Sequence, residues 1–326
     1  MTNVLSINNL TVEIPTRYGI LRPVDGVSYE IGEGEILGVV GESGAGKSMA
    51  GNAVIGLLSP PAHIASGEIL LNGTRIDNVT GEAMRRLRGK EIGMVFQDPL
   101  TSLNPLLRIG DQLTETMLAH LDISRSEAER RAVAALEEVG IPGAAERVSS
   151  YPHEFSGGMR QRVVIALALC AEPSLIIADE PTTALDVSVQ AQIIALLKKL
   201  CRERGTAVML ITHDMGVIAE AADRVAVMYA GKLAEIGPVR EVLTAPQHPY
   251  TNGLMGSTPL ASRGQARLHQ IPGAMPRLDA LPQGCAFHPR CPKAQQTCKA
   301  NPGPSIDETG GRAACYFPLT EEAVTA

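Results

Sequence analysis

The stretch "EILGVVGESGAGKSMA" (residues 35–50) decides which fold we expect for this chain. It joins a short apolar strand, "EILGVV", to the glycine-rich loop "GESGAGKS" (Gly41–Ser48), and a run of small and apolar residues suited to a helix follows. The loop fits the pattern G-x-x-x-x-G-K-[ST], in which glycines let backbone N–H groups turn inward around phosphate oxygens. The N-terminus of the following helix adds a partial positive charge. The stretch therefore predicts a phosphate-binding loop between a strand and a helix.

Two side chains of this loop suit a bound nucleoside triphosphate. Lys47 would reach the β- and γ-phosphates, and the Ser48 hydroxyl would ligate Mg²⁺. A chance glycine-rich turn is the alternative interpretation. The predicted strand and helix favour the phosphate-binding interpretation, because they stand on the sides that the motif requires.

A second apolar stretch, "SLIIADE" (Ser174–Glu180), ends in two carboxylates. An acid at the carboxyl end of a buried strand points into the ligand crevice of an α/β sheet. Asp179 suits the Mg²⁺ shell, and Glu180 suits the general base that orients and deprotonates an attacking water. The alternative, a solvated strand end, is weakened by the glycine loop elsewhere in the chain.

The rest of the chain alternates strand-like and helical patterns. Charged helical patterns over residues 106–150 predict a helical insertion, and from about residue 256 proline, glycine and cysteine increase while periodicity is lost. The alternation predicts an α/β fold with helices on both faces of a parallel sheet. We predict a domain over residues 1–255 and a C-terminal extension over 256–326. Further predicted elements are strands at residues 4–14, 91–98, 174–179 and 206–212 and a helix at 188–204.

The composition is that of an ordinary globular chain. Of its 326 residues 44% are hydrophobic and 20% are charged, and the formal net charge of −6 argues against a protein that coats nucleic acid. The first residues lack the pattern of a signal peptide, and no apolar stretch is long enough to span a bilayer. We therefore expect a soluble, cytoplasmic chain whose thiols stay reduced.

Five sequence blocks resemble, in order and spacing, those of the ATP-binding subunits of ABC transporters. "SGGMRQR" is the most specific, because simple P-loop ATPases lack it, although Phe155 stands where the family most often has Leu. The resemblance implies a P-loop ABC ATPase core, a mixed sheet with flanking helices, with a helical subdomain at about residues 100–165 and a small Cys-rich C-terminal extension. The blocks are the glycine loop, Gln97 in "MVFQDP", "FSGGMRQR" (Phe155–Arg162), "ADEPTTALD" (Ala178–Asp186) and His213 in "LITHD".

The resemblance also implies roles in ATP binding and hydrolysis. Tyr18 would stack on the adenine ring, an ordinary surface tyrosine being the alternative. Gln97 would sense the γ-phosphate and hold Mg²⁺ with Ser48 and Asp179. His213 would hold the γ-phosphate and the attacking water, so that the catalytic residues are Glu180, His213 and Gln97. The loop residues implied to bind ATP are Gly41, Ser43, Gly44, Gly46, Lys47 and Ser48.

A second ATPase subunit follows from the same resemblance. Ser156, Gly157 and Gly158 would contact the γ-phosphate of ATP bound on the opposite subunit, and Asp186 would lie at the subunit interface. The partner ATPase would be a related but different chain. Two transmembrane permease subunits would dock on the helical insertion, with an extracytoplasmic solute-binding protein as an indirect partner. The chain would then be peripheral, on the cytoplasmic face of the inner membrane.

The C-terminal residues narrow the resemblance to the ATPases of oligopeptide and dipeptide importers. The stretches that carry it are "APQHPYTNGLM" (Ala245–Met255) and "IPGAMPRLDALPQGCAFHPRCPKAQQTC". Import of nickel or another small solute is an alternative, since some relatives transport nickel. A non-transport ABC ATPase acting on nucleic acid is a second alternative, but it would show a long coiled-coil insertion or two tandem cassettes, and this chain shows neither.

Four of the six cysteines lie in the C-terminal extension, with the spacing C-x5-C-x6-C-x16-C. Structural zinc sites usually pair cysteines as C-x2-4-C, so these gaps fit zinc poorly, whereas four thiolates satisfy a cubane cluster. The resemblance to peptide importer ATPases implies a [4Fe-4S] cluster, which would fold the extension. Zinc and free or paired thiols remain alternatives, and Cys170 and Cys201 are expected to be ordinary core or surface thiols. The predicted cluster ligands are Cys285, Cys291, Cys298 and Cys315.

Overall fold

The computed structural model describes residues 3–183, 185–257 and 270–320. The chain divides into two units that alternate along the sequence. The first unit consists of Met1–Leu5, Ile31–Ile36 and Asn78–Leu210, and the second consists of Ser6–Glu30, Leu37–Asp77 and Ile211–Ala326. The glycine loop therefore belongs to the second unit, and the acidic strand end belongs to the first.

The described residues form ten strands along the alternating or wholly apolar stretches of the sequence. The four strands predicted at residues 4–14, 91–98, 174–179 and 206–212 are confirmed as β1, β6, β7 and β8. The strands are β1 (Asn3–Thr16), β2 (Gly19–Gly32), β3 (Ile36–Val40), β4 (His63–Leu71), β5 (Thr74–Arg75), β6 (Ile92–Val95), β7 (Leu175–Asp179), β8 (Ala207–Ile211), β9 (Arg224–Tyr229) and β10 (Lys232–Pro238).

The helical patterns predicted over residues 106–150 are confirmed as α4 to α6, and the helix predicted over 188–204 is confirmed as α8. Among the described residues, none of the helices combines the length and the apolar character needed to cross a membrane. The helices are α1 (Lys47–Val54), α2 (Gly81–Leu87), α3 (Pro99–Ser102), α4 (Ile109–His120), α5 (Arg125–Glu138), α6 (Ala144–Arg147), α7 (Gly157–Leu169), α8 (Val187–Arg204), α9 (Met215–Ala221), α10 (Val239–Thr244), α11 (Pro249–Gly256), α12 (Gln296–Ala300) and α13 (Ile306–Thr309), with 3₁₀ turns at Pro152–Glu154 and His288–Arg290.

In the first unit, parallel strands carry the acidic residues to one edge of a sheet. The strands lie in the order β8-β7-β6, and β6 runs parallel to β7 with Ile92 opposite Leu175. The apolar residues of β7 and β8 are buried, as expected for strands covered on both faces. Helix α7 packs against β6, and α4 packs against α5 and α7. Strand β7 thus ends at Asp179, directly before Glu180.

The second unit contains both parallel and antiparallel strand pairs. Strand β3 runs parallel to β9, with Leu37 opposite Arg224, whereas β10 returns antiparallel to β9. A separate four-stranded sheet has the order β2-β1-β4-β5. The mixed sheet implied by the family resemblance is confirmed, and the wholly parallel sheet expected from the strand–helix alternation is corrected by the antiparallel β10. The short connection between β9 and β10 permits only an antiparallel return, since a parallel one needs a crossover.

The described C-terminal residues, 270–320, complete the second unit. Ala313 bridges Glu235 of β10, where the Ile236 N–H donates to the Arg312 carbonyl at 2.9 Å. The Phe287 ring is buried, with its centroid 5.2 Å from that of Tyr229. This segment therefore shares the apolar core of the second unit, a contact that the sequence analysis did not predict. Residues 258–269, near the predicted boundary at 255/256, lie outside the described residues, and that boundary stays a prediction.

Candidate functional site

At two positions, the glycine loop of the second unit has no room for a side chain. Gly46 has φ +103°, and a Cβ placed on it would lie 1.9 Å from the carbonyl oxygen of Pro23. Gly41 has φ +153°, and its Cβ would lie 2.3 Å from the carbonyl oxygen of Met228. Both obstacles are backbone atoms, which cannot move aside as a flexible side chain can. The spacing of the glycines in the motif thus has a direct steric cause.

Lys47 begins α1 and turns its amine back onto the loop. The side chain is buried, and Nζ donates to the carbonyls of Gly41 at 2.8 Å and Glu42 at 3.1 Å. The cap residue of α1 is Gly46, which has no side chain that could cap the helix, and the first turn holds no acidic residue. Ser48 lies in that first turn and is exposed. A buried amine beside a helix N-terminus without a nearby acid in the first turn attracts an anion such as a phosphate group.

Glu42, the second residue of the loop, is fixed by residues that the sequence patterns did not indicate. Its carboxylate accepts from Arg290 Nη1 at 2.9 Å and Nη2 at 3.0 Å. Its N–H donates to the hydroxyl of Tyr250 at 2.9 Å, and burial raises the pKa of that phenol. Arg290 and Glu42 are 248 residues apart, so no local spacing could have revealed the contact.

In the first unit, the structure brings two of the predicted catalytic residues together. Oε2 of Glu180 accepts from Gln97 Nε2 at 3.1 Å and from the Thr183 hydroxyl at 2.9 Å. Glu180 has φ +48°, a left-handed conformation that is uncommon for a residue other than glycine. Asp179, the last residue of β7, is half-buried. The carboxylate is therefore held at the strand end by two neutral donors.

The "SGGMRQR" block begins α7 in the first unit. The Ser156 hydroxyl accepts from the Met159 N–H at 3.3 Å and caps the helix, and Gly157 and Gly158 form its first turn. A Cβ on Gly158 would lie 2.7 Å from Cγ1 of Val189. Asp186 caps α8, and backbone donation from Val189 lowers the pKa of its carboxyl. Ser156 and Asp186 thus each lie at the N-terminus of a helix.

Tyr18 and His213 are exposed residues of the second unit. Tyr18 stands in the turn between β1 and β2, and the residue is 89% exposed. His213 follows β8 and precedes Asp214, whose carboxylate caps α9. Their predicted roles toward the adenine ring and the γ-phosphate stay predictions.

The four cysteines of the C-terminal segment are close enough to affect one another electrostatically. Burial raises the pKa of Cys285, of Cys291 and of Cys315, the last to about 11, and the neighbouring thiols add to each rise. The Cys285 N–H donates to the Cys298 carbonyl at 2.8 Å. None of the six cysteines forms a disulfide. Cys170 is buried at the end of α7 and Cys201 is buried in α8.

The predicted metal centre is not supported by the described part of the chain. Within residues 3–183, 185–257 and 270–320, no three His, Cys, Asp or Glu side chains are grouped so as to hold a metal ion. This finding applies equally to the [4Fe-4S] cluster and to the zinc alternative.

Two family models match the chain. A model of the family "ABC transporter" matches residues 24–183, which include the glycine loop and the acidic strand end. A model described as "Oligopeptide/dipeptide transporter, C-terminal region" matches residues 234–298. The second match covers much of the segment that packs against β10.

Curated relatives match the chain over nearly its whole length. The dipeptide transport ATP-binding protein DppD of Bacillus subtilis is 48% identical over 97% of this chain and 95% of its own length. The oligopeptide transport ATP-binding protein OppD of Salmonella typhimurium is 46% identical over 98% of this chain and 95% of its own length.

Solved structures share the fold. The ATP-binding cassette MJ0796, in a dimeric post-hydrolysis state bound to ADP and Pi, has a TM-score of 0.65 at 29% identity, over 72% of this chain and 99% of its own. CbiO1 of Clostridium perfringens, part of the ABC transporter complex cbiONQ, has a TM-score of 0.65 at 27% identity, over 75% of this chain and 92% of its own.

Proposed function

Because this chain belongs to the ATP-binding subunits of ABC transporters, we propose that it hydrolyses ATP to power peptide import through separate membrane subunits. The observation that carries the proposal is the match to peptide-transport relatives over nearly the whole chain, with a separate match in the C-terminal region. The glycine loop and the Glu180–Gln97 pair supply groups of the kind that ATP binding and hydrolysis need.

We assign the phosphates of ATP to the glycine loop. On ATP binding, the Lys47 amine would leave the carbonyls of Gly41 and Glu42 and donate to the β- and γ-phosphates. The charged phosphates attract this amine more strongly than the neutral carbonyls do. Backbone N–H groups of the loop would bind phosphate oxygens at Gly41, Ser43, Gly44 and Gly46. Tyr18 would stack on the adenine ring. The oxygen-rich set Ser48, Gln97 and Asp179 suits Mg²⁺, a hard cation that would neutralise charge on the phosphates.

We assign the role of general base in hydrolysis to Glu180, and we assign positioning roles to Gln97 and His213. A carboxylate can accept the proton of the attacking water as the water's oxygen bonds to the γ-phosphorus. Gln97 and Thr183 donate to a single oxygen, Oε2, and so fix the orientation of the carboxylate. His213 would hold the γ-phosphate and the water in line for attack.

We propose that a second ATPase chain completes the site. The N-terminus of α7, with Ser156, Gly157 and Gly158, suits the γ-phosphate of ATP bound to that chain, and Asp186 would lie at the contact. The solved cassette MJ0796 is described as dimeric with ADP and Pi. A related but different ATPase chain is our choice for the partner.

The membrane partners are two permease subunits, which we place on the helical insertion of the first unit. Leu106, at its start, and Leu100, six residues earlier in α3, are 83% and 60% exposed, and a protein contact there would cover these apolar side chains. Binding there would hold this chain on the cytoplasmic face of the inner membrane. A solute-binding protein outside the cytoplasm would deliver the peptide.

The shared site makes a kinetic prediction for the purified chain. When this chain is the only ATPase present, two copies of it must pair in place of the mixed pair, so its specific ATPase activity should be low and should rise with chain concentration. Adding the partner ATPase and the permeases should raise it further. The measurement is phosphate release across a dilution series. A specific activity that is high and independent of concentration would contradict the shared site.

For the C-terminal cysteines we propose a [4Fe-4S] cluster, with zinc as the alternative. The support is the donor set, four thiols in one short segment, since such a cluster takes four cysteine ligands. Neighbouring thiols contribute to the raised pKa of Cys285, Cys291 and Cys315. The cluster would tie the segment together, and no step of ATP hydrolysis is assigned to it.

Cys291→Ser tests the cluster. Protein purified without oxygen should be brown and hold about four irons per chain, and the variant should lose the iron because one of four ligands is gone. Cys170→Ser, at the buried cysteine directly after α7, is the matched control and should keep the iron. Metal analysis and visible absorption make the measurement. A colourless protein with one zinc per chain would assign the thiols to zinc instead.

A further inference from the structure

The C-terminal segment reaches the glycine loop through one buried arginine. Arg290 lies in the 3₁₀ turn His288–Arg290, and its side chain is only 7% exposed. Both of its terminal nitrogens donate to the carboxylate of Glu42, the second residue of the loop, in a bidentate ion pair. A bidentate arginine fixes the plane of a carboxylate as well as its position.

Arg290 is itself held from several sides. Nε donates to the Pro272 carbonyl at 3.0 Å, and the guanidinium lies 5.8 Å from the ring centroid of Tyr229. Its backbone N–H donates to the carbonyl of Phe287, whose buried ring packs against the rings of Tyr229 and Tyr250. The guanidinium therefore cannot follow Glu42 if the loop moves, and it acts as a fixed point against which the loop is held.

The ion pair is one of several contacts on Glu42. The Tyr250 hydroxyl accepts from its N–H at 2.9 Å, and its carbonyl accepts from Lys47 Nζ at 3.1 Å. A second residue of the C-terminal segment approaches the loop at Gly44, where a Cβ would lie 3.2 Å from Cε of Met275. The Lys47 amine rests on the Glu42 carbonyl, so Glu42 sets the position from which that amine would move to the phosphates.

We propose that Arg290 is a positioning residue for the nucleotide: by its ion pair with Glu42 it holds the glycine loop in the conformation that accepts phosphates. The inference rests on the proposed function, since it requires that this loop binds ATP. Without the arginine, the loop must be ordered at the moment of binding, and the cost of that ordering weakens the affinity. The chemistry after binding is unaffected, because Arg290 acts only through Glu42.

The test measures the Kd of MgADP by titration calorimetry, and the KM and kcat of MgATP hydrolysis, on the full chain. Arg290→Gln should raise Kd and KM about tenfold or more, the effect of losing hydrogen bonds to a charged group, with kcat within about twofold of the wild type. Arg290→Lys keeps the positive charge but cannot make the bidentate contact, so its Kd and KM should lie between those of the wild type and those of Arg290→Gln. Arg277→Gln is the matched control, since its pair with Asp279 is exposed, and it should change nothing.

A second comparison separates positioning from mere stability. Glu42→Gln should raise Kd as Arg290→Gln does, and the double variant should be no worse than the weaker-binding single variant, because both remove one interaction. Unchanged Kd and KM in Arg290→Gln and Glu42→Gln, or effects that add in the double variant, would overturn the proposal. So would a rise in Kd that only matches the unfolded fraction in a urea titration. A wild-type chain that bound no nucleotide would instead refute the proposed function.

Discussion

Glu180→Gln is expected to retain ATP binding and to hydrolyse ATP about 10²–10⁴-fold more slowly than the wild type, the usual contribution of a positioned base. The amide has nearly the shape of the carboxylate, and its oxygen can still accept from Gln97 and Thr183. It cannot take the proton of the attacking water, so the loss falls on the chemical step. The measurement is single-turnover phosphate release, with ATP affinity measured separately.

The matched control for this variant is Glu172→Gln. Glu172 also has a positive φ, +57°, and lies in the same unit, but its side chain is 68% exposed and pairs with Arg131. Any backbone effect of a Glu→Gln change at such a position would therefore appear in both variants. Near-normal turnover in Glu180→Gln, or an equal loss in Glu172→Gln, would refute the assignment of the base.

Gly46→Ala should abolish measurable ATP binding and lower the free energy of unfolding by about 2–6 kcal/mol, the sum of backbone strain and overpacking. The new methyl group would meet the Pro23 carbonyl oxygen at 1.9 Å, and φ +103° is itself unfavourable for alanine. Either the loop or β2 must move, and Lys47 moves with the loop. Urea denaturation and nucleotide titration measure the two effects.

Gly73→Ala separates the clash from the strain. Gly73 has φ +75°, but a Cβ there has no heavy atom within 4 Å. The control should therefore lose only about 1 kcal/mol of unfolding free energy and keep its ATP affinity. Equal losses of unfolding free energy and ATP affinity in the two variants would show that backbone strain alone is responsible and that the contact with Pro23 contributes nothing.

The parts of the fold that the sequence predicted are those coded by neighbouring residues. The wholly apolar runs of β7 and β8 and the alternation of β1 are periodic signals within a few positions. The glycine loop was predictable for the same reason, because its whole motif lies in a stretch of eight residues. Glu180 was chosen as the candidate base because it stands directly after a buried strand.

What the sequence did not predict depends on distant partners. Arg290 in "FHPRCP" looks like any basic residue in a proline-rich stretch, and only the folded chain brings it to Glu42. The antiparallel strand β10 was likewise missed: no strand was predicted at Lys232–Pro238, and the direction of a strand depends on the neighbour that the folded chain gives it. The cysteine spacing suggested a cluster, but spacing along the chain does not determine distances between sulfur atoms.

The central claim, that ATP hydrolysis by this chain drives peptide import, is tested most directly by uptake into proteoliposomes. The chain, its partner ATPase and the two permeases would be reconstituted with a binding protein and a labelled short peptide, with ATP on the ATPase side. We expect uptake that requires ATP and is lost with Glu180→Gln. Uptake that continued with Glu180→Gln at the wild-type rate, or ATP hydrolysis in the full complex without any peptide movement, would contradict the claim.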